Sequence, residues 1–260
     1  MNNMLYIIIF IIFFLIIILY HLNQPHYDTF DNRNILFLNE SDLQQLLLEN
    51  KDHYYDTFSE MDLEARKIKS IEDYTHKIIS SVSSLDDFEK DRIVQCMDKI
   101  YSFFDTLHYS WLDGKKLNQV PWKIGMIKGY QYENGLPHTR NDVILLSREK
   151  YQSYDINELI RILIHEKIHV YQKLYPDDIE VFKKEYGYEK VNHRIHYKNI
   201  RSNPDLDSFV YKNHKNELNA CYYNPKPRSI QDIYYTPKNE QKSEHPHEYM
   251  AILIEDMYTP

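Results

Sequence analysis

Asp155-Ile-Asn-Glu158-Leu-Ile-Arg-Ile-Leu-Ile-His165-Glu166-Lys-Ile-His169-Val-Tyr-Gln-Lys-Leu174-Tyr-Pro176 is the stretch on which the reading of this chain turns. Asp155 and Glu158 stand in capping-box register, which predicts a helix start: the Asp side chain caps and Glu158 reaches back. Ile156, Leu159, Ile160, Leu163, Ile164, Ile168, Val170, Tyr171 and Leu174 follow and cover most of the circumference, and Pro176 ends the run. That pattern predicts a core helix. Set into it are His165, Glu166 and His169. Residues four apart are neighbours on one helix face, so both imidazoles can reach one metal ion at about 2.0–2.1 Å. Glu166, turned by roughly 100°, stands beside that ion without binding it, where it can take a proton from a bound water. Two histidines and a carboxylate are costly in an apolar helix unless paired or metal-bound, which favours a metal site over satisfied core histidines.

Working outward, Val120–Ile127 is short and β-prone, 129–137 is turn-rich, and Asp142–Ser147 reads as a buried strand. Two strands before a strong helix predict an α+β unit with a small sheet, spanning 116–260. Residues 41–115 read as a helical lead-in, with a capped start at Ser41, a stretch over 60–80, and a third from Ser84 to Asp113-Gly114. Residues 23–40, with Pro25, read as a linker. Residues 4–22 carry no charge and are dominated by Ile, Leu and Phe, with Tyr6 and Tyr20 near the ends. About 20 apolar residues suffice to cross a bilayer, so an uncleaved transmembrane anchor and a single-pass membrane protein are expected. The segment lacks the basic start and small-residue cleavage site of a signal peptide. Arg33 is the first basic residue after it, so orientation stays open.

Composition removes other classes. Only 5 glycines occur among 260 residues, and neither G-x-G-x-x-G nor G-x-x-x-x-G-K is present, which sets aside phosphate-cradling loops. The net charge is −8 and no basic stripe is visible, so no nucleic-acid partner is expected. Cys96 and Cys221 lack C-x-x-C spacing and read as buried thiols.

On these motifs the chain from Val120 to about Tyr258 resembles the zincin metallopeptidases. With Asn134–Arg140, Arg201–Asp205 and His245-Pro246-His247-Glu248 it is similar to a zincin-like group encoded by large DNA viruses. The resemblance implies Zn²⁺ held by His165 and His169, Glu166 as the base, and a peptide or protein substrate lying along an edge strand, Asp142–Ser147, near Ile144, with His138 and Arg140 in the turn before it. A catalytic zinc needs a third protein ligand. Gln172 and Tyr175 occupy the offsets where metzincins place Gly and His, so that subclass is excluded. Gluzincins draw a Glu from a later helix, and Glu248 in Ser243–Ile254 is the expected ligand; Glu189, Glu217, His193 and His196 are rivals. Ile252 stands where the family often places an Asp that orients a ligand His, leaving that partner unassigned. His138, Arg140 and Tyr223 are candidates for contacting substrate or its oxyanion, as are Tyr222, His245 and His247. The expectation is a zinc peptidase tethered to the bilayer through 4–22. The alternative is a non-catalytic zincin-fold structural or interaction protein of a viral membrane, which retention of Glu166 disfavours.

Overall fold

The computed structural model describes residues 34–237 and 244–260, the backbone of 28–30 and the isolated position 13. Its strands are β1 Asp28–Phe30, β2 Ile35–Phe37, β3 Val82–Ser83, β4 His108–Tyr109, β5 Leu112–Asp113, β6 Trp122–Ile127, β7 His138–Arg140, β8 Val143–Ser147, β9 Glu189–His193, β10 Phe209–Lys212, β11 Leu218–Tyr223 and β12 Ile233–Thr236. Its helices are α1 Glu40–Glu49, α2 Glu60–Ala65, α3 Ile71–Ser81, α4 Asp87–Phe104, α5 Gly114–Gln119, α6 Arg148–Ser153, α7 Ile156–Leu174, α8 Pro176–Glu185 and α9 Pro246–Met257.

The main sheet runs β1-β2-β6-β8-β7, with β3 also pairing β6. β2, β6 and β8 are parallel to one another, and β7 is antiparallel to β8. Strands buried on both faces need apolar residues throughout, and β8 supplies Val-Ile-Leu-Leu-Ser, all buried. Alternation then divides the core. Ile144 and Leu146 join α4, α7 and α9 on one face, while Val143 and Leu145 join α1 and α3 on the other. Gly125 belongs to the second face, where a Cβ would stand 2.8 Å from Leu43 of α1. A second sheet, β12-β11-β10-β9, is antiparallel throughout.

Several features depart from the sequence reading. The membrane-spanning helix expected over 4–22 falls outside the described residues except for position 13, and among the described residues no helix is long and apolar enough to cross a membrane. The 19-residue α7 has the length but carries Glu158, Arg161, Glu166, Lys167 and Lys173. The α+β class remains, without the transmembrane element. Ile35–Phe37, read as the end of a linker, is β2, because Ile35 and Phe37 bury against α4 and the sheet. The stretch read as a lead-in adds Ile93, Met97, Ile100 and Phe104 of α4 to the core that holds α7. Asp142–Ser147, taken as the edge strand, lies inside the sheet; the edge is β7, which the sequence reading placed in a turn.

α9 is clamped antiparallel on α7. Met250, Ala251 and Ile254 are fully buried in the shared core, and each large apolar side chain so buried contributes about 1.5–3 kcal/mol. Gln172 Nε2 donates to the His247 carbonyl at one end. At the other, the Arg161 guanidinium donates to the carbonyls of Glu255 and Tyr258, satisfying acceptors at the helix C-terminus.

Candidate metal centre

α7 begins behind Asp155, with the capping box to Glu158 formed in both directions. His165, Glu166 and His169 therefore fall in its third and fourth turns, beside the first turn of α9. His245 caps α9 through the His247 amide, and Glu248 follows in the first turn. Among the described residues, His165, His169 and Glu248 form the cluster whose ligand atoms could hold one ion.

The geometry is that of a ligand triad. The two Nε2 atoms are 3.1 Å apart, and Glu248 Oε2 lies 3.5 Å from that of His165 and 3.8 Å from that of His169. A point about 2.0 Å from all three atoms exists inside this triangle, which matches zinc bonds to imidazole and carboxylate.

The protons agree. Gln172 Nε2 is committed to the His247 carbonyl, so its Oε1 faces His169 Nδ1 at 3.0 Å and that nitrogen must donate. His165 Nδ1 meets Glu255 Oε2 at 3.0 Å and donates likewise. With both rings neutral, the two Nε2 lone pairs point at one spot, which either a metal ion or a proton on His165 can fill. Burial opposes charge on His165, but hydrogen bonds to Glu248 and Glu255 raise its pKa well above the usual value. Glu248, despite burial, is held well below the carboxylate range by the His165 hydrogen bond and both histidine charges.

Two partners escaped the sequence reading. Glu255 orients His165 in place of the Asp absent at Ile252. It stands seven residues after Glu248, two turns along the same face, so the i+7 spacing was the signal. Asn203 Nδ2 donates to Glu248 Oε1 at 2.9 Å, leaving Oε2 to face the histidines.

Glu166 is buried, and its Oε2 has no hydrogen-bond partner among the described residues. Burial raises its pKa well above the usual range, and the Asp205 and Glu248 charges add to this. An unpaired buried carboxylate oxygen next to a triad that fits zinc is what a water-activating base requires.

The centre opens into a cleft of about 590 Å³ lined by His165, Glu166, Glu248, His138, Asn203 and Tyr235, among others. Of the expected substrate and oxyanion residues, only His138 lines it, and its Nδ1 meets the Leu136 carbonyl at 2.8 Å. Arg140 is spent on Asp52, Asn50 and Tyr132. Tyr223 is buried against Asp62 and Arg66. His245 caps α9 and meets Asp207, His247 is buried beside it, and Tyr222 stacks on Tyr234. The Tyr235 hydroxyl, by contrast, has no hydrogen-bond partner among the described residues and faces the cleft's acidic wall, where burial and Glu244 raise its pKa. The rival ligands lie elsewhere: Glu189, Glu217 and His196 are exposed, and His193 packs on Phe209.

The expected strand near Ile144 is not open to substrate, and the β7 edge beside it is closed. Thr139 N and Oγ1 both donate to Asp205 Oδ1, at 2.6 and 2.7 Å, and Lys173 Nζ donates to the Thr139 and Pro204 carbonyls at 3.0 Å. No protein-family model, curated protein or solved structure matches this chain.

Proposed function

We propose that this protein is a zinc-dependent peptidase, with His165, His169 and Glu248 as ligands and Glu166 as the proton carrier. The observation that carries the reading is the convergence of two Nε2 lone pairs and Glu248 Oε2 on one point, beside the unpaired Glu166 oxygen. Zinc held there supplies Lewis acidity and a water of lowered pKa. Glu166 accepts the proton of the attacking water and returns it to the leaving amine. A nearby divalent charge offsets Asp205 and Glu248, which otherwise favour the protonated form of Glu166. Tyr235 offers its hydroxyl to the oxyanion of the tetrahedral intermediate. Glu255, Gln172 and Asn203 fix the ligand atoms, and the buried Arg201–Glu244 pair forms part of the wall.

Metal content and cleavage of a mixed peptide library test this together. Stoichiometric zinc is expected in the wild type and in Glu166→Gln, and its loss in His165→Ala, His169→Ala and Glu248→Ala, with Glu217→Ala as a neutral control. Cleavage should fall by about 10²–10⁴ in Glu166→Gln. Full cleavage by that variant, or zinc retained in Glu248→Ala, refutes the assignment.

A further inference from the structure

The metal cleft has a neighbour. A second cavity of about 460 Å³ shares Glu133, Ile230 and Gln231 as walls with it and is lined by Lys67, Lys77 and Lys150. These lysines come from separate elements: Lys67 follows α2, Lys77 lies on α3 and Lys150 on α6. We propose that this lobe binds acidic side chains of a peptide whose neighbouring segment lies in the metal cleft. The inference rests on the peptidase reading for the identity of the ligand as a peptide, and on the lobe's own residues for its acidity.

Three observations support it. The carboxylate in the lobe's lining, Glu133, is already consumed: Arg66 Nε and Nη2 grip it at 2.9 and 2.8 Å, and the Tyr74 hydroxyl donates to it at 2.5 Å. Arg66 and Glu133 cancel, so the lobe carries the charge of three lysines. Second, among the described residues none of the three lysines forms an ion pair. Lys77 donates to the Arg66 carbonyl, and neither Lys67 nor Lys150 meets a carboxylate. Burial lowers the pKa of Lys77, with the Lys67 charge adding, and burial alone lowers that of Lys150. Third, the chain as a whole carries −8, so three uncompensated cations in one concavity run against its average character. A concave wall of one sign focuses its field and selects an oppositely charged partner.

The test is fluorescence anisotropy with the full-length Glu166→Gln protein, which removes cleavage from the readout. The probes are fluorescein-labelled peptides sharing an alanine-rich core and flanked by three Glu, three Gln, three phosphoserine or three Lys residues. The Glu peptide is expected to bind about tenfold more tightly than the Gln peptide, to weaken with added salt, and to lose that advantage in Lys67→Glu/Lys77→Glu/Lys150→Glu. If the triple variant does not fold, Lys150→Gln alone should reduce the advantage by about threefold. Equal binding of the Glu and Gln peptides overturns the proposal. Binding of the phosphoserine peptide alone also overturns it, because the lobe would then select phosphate. Binding does not require hydrolysis, so a preference for the Glu peptide in Glu166→Gln alongside a wild-type protein that cuts nothing refutes the peptidase and leaves the acidic-peptide lobe standing.

Discussion

Replacing Glu255 with Ala isolates the contact that the sequence reading left unassigned. Its carboxylate accepts from His165 Nδ1 at 3.0 Å, a hydrogen bond to a charged group and thus worth about 1.5–3 kcal/mol when dry. The Glu255 side chain is 28% exposed, so water competes and the lower half of that range applies. At 1.4 kcal/mol per tenfold, the loss of zinc affinity should be about tenfold to fortyfold, within the span seen for outer partners of metal-bound histidines. Glu255→Gln keeps an acceptor oxygen and should lose only about threefold. The fold should survive both changes, because Arg161 holds the Glu255 carbonyl rather than its side chain. Competition against a chromogenic chelator at fixed pH measures the affinity, and thermal unfolding of the metal-free protein checks the fold. An affinity for Glu255→Ala within twofold of wild type, with unfolding unchanged, would show that this carboxylate does not set the His165 ring.

Two further substitutions probe stability. Glu133→Gln removes the closer of the two carboxylates paired with the buried Arg66 guanidinium, leaving Asp62 at 3.4 Å, and should cost about 3 kcal/mol, measured by denaturant unfolding. The same pair makes a pH prediction. Burial raises the Glu133 pKa, but the Arg66 charge and hydrogen bonds outweigh it and bring the group to about 2, against an unfolded value of 4.5. A depressed carboxyl contributes stability above its unfolded pKa, so about 3 kcal/mol is present above roughly pH 5 and lost as pH falls towards 2. Wild type should show this loss between pH 5 and 2, and Glu133→Gln should lack that component. Gly114→Ala places a Cβ 1.8 Å from the Phe104 carbonyl oxygen, where only backbone movement can make room. It should cost about 3 kcal/mol, or roughly 6–12 °C in Tm.

What the sequence disclosed follows from how local each signal is. α7 was legible from end to end, since its cap, its apolar positions and its proline stop are all encoded within the segment. Glu248 was reachable because a carboxylate in the first turn of an apolar helix is conspicuous. Glu255 was not, because it lies beyond the family spacing and its partner is 90 residues away in the chain. The sheet edge was misread for a related reason. His138-Thr139-Arg140 is polar and short, and it becomes a buried strand only because Asp52, Asn50 and Asp205 arrive from distant segments, with Tyr132 from the preceding turn, to satisfy it. Arg140 and Tyr223 attracted attention as reactive groups, yet both are spent inside polar networks, and burial with a full set of partners leaves no trace in a linear pattern. The Lys67–Lys77–Lys150 lobe was invisible because its lysines come from separate elements.

The closed margin of β7 has a consequence for what the cleft can recognise. An exposed strand offers main-chain groups that any extended polypeptide can satisfy, so it serves as a universal handle. Here the amide and carbonyl of Thr139 are already answered by Asp205 and Lys173. On the peptidase reading proposed above, a bound chain is denied that handle and is gripped through its own side chains, one position at a time. Discrimination among chains would then rest on composition rather than on extended shape.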